Sequence, residues 1–240
     1  MNIEQRLLKI WNNDYINSLP SFIKDREFCY SKNESQKDIL ITGINPSFRD
    51  GTDKIGYFGF DIQETFEGKY DNYWGPLTKM VYDSQAKINL KSITAYLDIF
   101  YFRERKQTVL TKEILTTPNG IQFIVDQLNL TQHIIEDIIK PKLIIVKNKE
   151  SSAYWGKLAN NGIIWMGYDL EFIESIKSGE LYKIKGLINS NERIAPEIEI
   201  SNIKNSLILF TQHITQYTKR EKRPTPNLIK ELLERVSTSH

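Results

Sequence analysis

Ile39-Leu40-Ile41-Thr42 is a short apolar run that stops at Gly43-Ile44-Asn45-Pro46-Ser47. Lys142-Leu143-Ile144-Ile145-Val146 and Ser206–Phe210 repeat the pattern further along the chain. Continuous rather than alternating apolar runs of this length read as strands covered on both faces. Strands buried on both sides need helical crossovers. The helical spacing in residues 3–18, Trp74–Tyr82, 120–139, 151–160 and 226–236 supplies them. The expectation is an α/β fold: three layers, α/β/α, around a central, mostly parallel sheet of four to five strands. Further, weaker strands are expected near 162–166, 182–189 and 196–201, and a strand or strand-plus-turn at Ser92–Phe102.

With 240 residues, 40% of them hydrophobic, the chain can bury one substantial core, so residues 1–240 read as a single domain with 1–36 as an N-terminal helical segment packed on it. Net charge is only +2, so attraction to an anionic partner must come from local clusters. The single Cys29 excludes an intramolecular disulfide framework and a thiolate zinc site. His133, His213 and His240 leave little for a histidine metal site, so no metal and no cofactor are expected. No leader or membrane-length apolar run is visible, and the expected setting is a cytoplasmic monomer away from membranes.

Residues just past the end of a parallel strand face the crevice where open α/β sheets bind ligands. Pro46 biases Asn45 towards an extended conformation and so aims its amide, and Gly43 permits a tight or left-handed turn. Asn-Pro also opens ordinary turns. The following loop, 45–72, is long and rich in Gly, Asp and Phe, which is common in functional loops.

Gly43-Ile44-Asn45-Pro46-Ser47 resembles the first active-site motif of the uracil-DNA glycosylase superfamily, closest to its mismatch-specific and single-strand-selective branches. The resemblance extends in order through Phe58, the strand ending at Asp98, Lys142–Val146 and the loop carrying His213. It implies a monofunctional DNA glycosylase that hydrolyses the N-glycosidic bond of a flipped-out base and leaves an abasic site. Asn45 would position the water that attacks the sugar C1′. Phe58, thirteen residues beyond Asn45, would stack on the base, with Phe60 as its rival. Gly43, Ile44 and Pro46 would complete the base pocket. His213 would donate to the departing base and stabilise its developing charge.

Two positions depart from the family pattern. The residue that reads the base edge is an Asn in the family, whereas Asp98 stands there. An ionised carboxylate only accepts hydrogen bonds; it suits an amino-bearing base and repels O4 of uracil. The implied target is therefore uracil by family, or, by Asp98, a modified cytosine such as hydroxymethylcytosine or its glucosylated form in phage DNA, which would make the enzyme antiphage. A capping Asp is the alternative reading of Asp98. After His213 the family's Pro-Ser-Pro is replaced by Ile214-Thr215-Gln216-Tyr217, with Tyr217 as a candidate wedge. Ser47, Thr215, Gln216, Tyr217, Lys219, Arg220 and Arg103 are the expected DNA contacts, Lys219 and Arg220 belonging to a run that continues through Lys222 and Arg223. A silent DNA-binding member of the fold and a nucleoside or small-glycoside hydrolase remain alternatives. Neither a Gly-x-Gly-x-x-Gly nor a Walker loop is present.

Overall fold

The computed structural model describes residues 2–33, 35–68, 73–212, 214–215 and 217–237, without the side chain of Arg220. Its centre is a six-stranded sheet: β1 (Ile39–Gly43), β2 (Thr94–Asp98), β3 (Leu143–Val146), β4 (Tyr168–Ile176), β5 (Gly179–Leu187) and β6 (Leu207–Thr211). The spatial order is β2-β1-β3-β6-β5-β4. The first four of that order run parallel, and β5 and β4 continue the sheet as an antiparallel hairpin.

Side chains alternate across the parallel strands, as a period of two requires. Leu40, Ala95, Leu97, Ile144, Val146, Ile208 and Phe210 enter one core with the helices Ile3–Trp11 and Gly120–His133. Ile39, Ile41, Tyr96, Leu143, Ile145, Leu207 and Leu209 enter the other with Ile62–Glu67, Trp74–Val81 and Pro226–Ser237. The Ile3–Trp11 helix starts where the Asn2 side chain accepts from Gln5 N and buries Ile3, Leu7, Ile10 and Trp11 along one stripe. The N-terminal segment is not helical throughout: Cys29–Ser31 forms a short parallel ladder with Phe58–Phe60.

The sheet has six strands instead of four to five, and the difference lies in the region after β3. Residues 162–166 and 196–201 form no strand, and the helix expected at 151–160 is a single turn, Ser152–Trp155. The weak strand expected at 182–189 is present as part of β5, and β4 joins it in a hairpin. It lies at the sheet edge and carries Glu171, Glu174, Lys183 and Lys185 between half-exposed apolar residues. Such a strand has no continuous apolar run to announce it.

The connection after β1 runs outward to β2, and the next returns past β1 to β3 on its other side. Strand order therefore reverses between β1 and β3, the place where open α/β sheets leave a crevice beyond their carboxyl ends. No helix among the described residues is long and apolar enough to cross a membrane.

Candidate active site

Gly43, Asp98 and Lys147 lie side by side at that reversal. Gly43 pairs with Asp98 in the β1–β2 register, and Lys147, one residue past β3, donates its backbone N–H to Thr42 O on β1. Gly43 is not in a left-handed conformation, so the turn expected of it is not what demands glycine. Space demands it: a Cβ there would fall 2.0 Å from Asp98 Oδ1, 2.8 Å from Tyr96 Oη and 3.0 Å from Lys147 Cε.

Asp98 is buried and accepts a 2.8 Å hydrogen bond on Oδ1 from Tyr96 Oη. Burial pushes its carboxyl up to about 6, against the opposing pull of Lys147 and the Tyr96 hydrogen bond. Lys147 is buried as well, and burial pulls its amine down to about 8 while Asp98 holds it up. Lys147 Nζ donates to Tyr73 Oη at 2.6 Å, and Tyr73 Oη lies 2.7 Å from Tyr96 Oη. Four polar groups thus form one chain from β3 to the end of β2.

Asp98 forms part of a cavity of about 320 Å³ whose wall also includes Pro46, Ser47, Phe58, Phe60, Tyr73 and Arg103. Among the neighbouring aromatics, Tyr57 is stacked on Phe28 at 4.9 Å, and Phe60 leans on Trp74 at 5.4 Å and on Tyr96 at 6.1 Å. Phe58 keeps 44% of its surface exposed. It is the ring on this wall with the most free face.

Arg103 is not an exposed phosphate contact. It is 3% exposed, its Nη1 reaches the carbonyls of Arg26, Lys54 and Gly56 at 2.8–3.2 Å, and its guanidinium lies between the rings of Phe48 (4.7 Å) and Phe58 (4.9 Å). Arg26 covers Phe48 at 4.7 Å, completing the stack. Arg103 is thus a clamp on the 48–58 loop and a support for Phe58. An Arg103→Lys variant keeps the charge and loses the planar fork. It is expected to cost about 2 kcal/mol, the worth of a charge-assisted hydrogen bond, and to speed amide hydrogen exchange across residues 48–58.

Asn45 spends its amide donors locally: Nδ2 bonds Glu104 O at 2.6 Å and Pro46 O at 3.0 Å, tying the loop after β1 to the loop after β2. Asn45 itself is not among the residues that line the cavity. Ile44 belongs to the core and not to the cavity wall; its side chain is 7% exposed and its carbonyl accepts from Phe100 N. Beyond β6, Thr215 and Thr218 close a tight loop through a 2.9 Å bond from Thr215 N to Thr218 Oγ1, and Tyr217 projects 85% exposed. Lys219 is exposed. His213, Gln216 and the Arg220 side chain lie outside the described residues. His133 bonds Asp137 and Glu197 through its two ring nitrogens, which fits a structural role.

Lys147, Tyr73 and Tyr96 are the site residues that spacing does not single out; Asp53, a loop acid, stands on the cavity wall and accepts from Arg49 N. Only the position of Lys147, directly after the clearest central strand, could have pointed to it. Among the described residues no cluster of three or more His, Cys, Asp or Glu could hold a metal ion. Comparison with family models, with curated proteins and with solved structures gives no match for this chain.

Proposed function

We propose that the protein is a monofunctional DNA glycosylase whose preferred base carries an amino group on its pairing edge. The observation that carries the reading is the buried Asp98 carboxyl in a cavity of about 320 Å³ beside the half-exposed Phe58. A space at the small end of ligand pockets, with one flat wall and one convergent polar group, suits a single extruded base.

In this reading the base stacks on Phe58, whose ring is held by the Arg103 guanidinium at 4.9 Å. Asp98 accepts from the exocyclic amino group, the partner that carboxylates take from cytosine-type bases. Asn45 Oδ1 accepts from a water and orients it on C1′, while its Nδ2 bonds hold the amide in place. An amide does not titrate near neutrality, so the step relies on positioning a water against an oxocarbenium-like centre. His213 donates to the leaving base. Tyr217, on its exposed loop, fills the gap in the duplex, and Ser47, Thr215, Gln216, Lys219 and Arg220 hold the backbone.

The test is an abasic-site assay. Matched DNAs carry uracil, cytosine, hydroxymethylcytosine or glucosylated hydroxymethylcytosine, and alkali cleavage reports any abasic product. Cutting at a modified cytosine, with turnover rising as pH passes through about 6 and Asp98 ionises, is the expected result. Asn45→Ala is expected to lower turnover on the order of a hundredfold with DNA affinity kept. Cutting only at uracil would overturn the role given to Asp98, and no cutting of any base would overturn the glycosylase reading.

A further inference from the structure

While Lys147 is an ammonium and Asp98 an ionised carboxylate, the chain of polar groups behind the cavity has one consistent arrangement of protons. An ammonium has donors alone, so Nζ must give to Tyr73 Oη across their 2.6 Å contact. Tyr96 gives its proton to Asp98 Oδ1 at 2.8 Å. The 2.7 Å contact between the two hydroxyls is then a bond from Tyr73 to Tyr96. Every link points from Lys147 to Asp98. If the proton sits on Asp98 instead and Lys147 is neutral, every link can reverse, from Asp98 to Lys147. The same heavy atoms support both states.

We infer that Lys147 is a positioning residue for Asp98: acting through the hydroxyls of Tyr73 and Tyr96, it holds the carboxyl as an acceptor and thereby sets which base edge the cavity takes. The three strand ends converge on this chain, and Gly43 leaves out the Cβ that would occupy its centre. Tyr96 is fully enclosed, and Lys147 also sits over its ring at 5.3 Å and over the Tyr73 ring at 4.2 Å. Among the described residues, the other titratable or charged groups around Asp98 are Cys29, Tyr101, Arg103, Arg49 and Asp53. Burial pushes the Cys29 thiol up to about 12, so it is neutral, and Arg103 is committed to the carbonyls of the 48–58 loop. After burial itself, Lys147 is the strongest influence on the Asp98 carboxyl. Its consequence for base choice rests on the glycosylase reading; the relay itself does not.

The experiment titrates the Asp98 carboxyl by carbon NMR of aspartate-labelled protein, with Asp98→Asn identifying the resonance. Lys147→Met is expected to raise the midpoint by about one pH unit or more, the usual effect of losing a close opposite charge. Tyr73→Phe interrupts the chain without removing a charge and is expected to raise it less. Tyr73 is 40% exposed, so this second variant tests the relay even if Lys147→Met fails to fold. On the DNA panel, Lys147→Met is expected to lower the preference for an amino-bearing base over uracil by about tenfold at neutral pH, since a protonated carboxyl both donates and accepts. A raised midpoint in Tyr73→Phe with no abasic product from any DNA supports the relay and removes the glycosylase reading. A midpoint that does not move in Tyr73→Phe overturns the relay whatever the substrate proves to be, even where Lys147→Met raises it, since a charge acting through space would do that alone.

Discussion

Gly43→Ala is expected to destabilise the protein by about 3 kcal/mol, at the upper end of the cost of forcing a methyl group into a well-packed interior. The added Cβ would lie 2.0 Å from Asp98 Oδ1. Asp98 is a short side chain, and the nearest space for retreat is closed by Tyr96 Oη at 2.8 Å and Lys147 Cε at 3.0 Å from the same point. The carboxyl must therefore leave the Tyr96 bond, or β1 must move away from β2. Chemical denaturation should show a lower midpoint with an unchanged dependence on denaturant. The double variant Gly43→Ala/Asp98→Ala removes the closest clash, so its cost should fall clearly below the sum of the two single costs. Strict additivity would mean that Gly43 is required for some reason other than room for Asp98.

What could be read from the sequence follows the apolar runs. Ile39–Gly43, Leu143–Val146 and Leu207–Thr211 are strands buried along their whole length, and each shows as an unbroken run of apolar or small residues. In the partly exposed β4–β5 hairpin only β5 is legible, as the weak strand expected at 182–189, while β4 alternates charge with apolar residues and hides among the loops. The site divides in the same way. Asp98, Phe58, Phe60, Pro46 and Ser47 do meet at one cavity: Asp98 ends β2, Pro46 and Ser47 follow β1, and Phe58 and Phe60 belong to the short separate ladder with Cys29–Ser31. Arg103 was legible as a charge but not as a clamp: its burial depends on the carbonyls of residues 26, 54 and 56, which only folding brings round it. Lys147 and Tyr73 are 74 residues apart in the chain, and no spacing rule links a lysine after one strand to a tyrosine before a helix. Gly43 was legible as a special residue, although the reason is contact across strands and not backbone conformation.

Asp98→Ala is expected to lower stability at neutral pH by about 1–2 kcal/mol, because the amine of Lys147, held near 8 with the help of Asp98, must then give up its proton at pH 7. The damage comes from what remains. Lys147 is 5% exposed, and Asp98 is the group that counteracts the effect of burial on its amine. The pH dependence separates this cause from lost packing. Lys147 titrates at about 8 in the folded protein, below its ordinary 10.5, and in Asp98→Ala it should titrate lower still. A group depressed in this way contributes stability that is present above its unfolded value and is lost as pH falls through the folded value. The deficit of Asp98→Ala relative to the native chain should therefore be large at pH 7 and narrow as pH rises towards 10. Asp98 adds the opposite trend to the native chain. Its folded value of about 6 lies above the ordinary 3.8, so its stabilising protonation is complete below about 4 and is lost as pH rises through 6. Asp98→Ala/Lys147→Met removes both charges together and should recover most of the loss at pH 7, because burying neither charge is close to neutral for stability. Denaturation curves for the three proteins at pH 7 and pH 10 check this directly. A deficit that stays flat with pH, and is not recovered in the double variant, would assign the loss to packing around Asp98 and not to an unpaired Lys147.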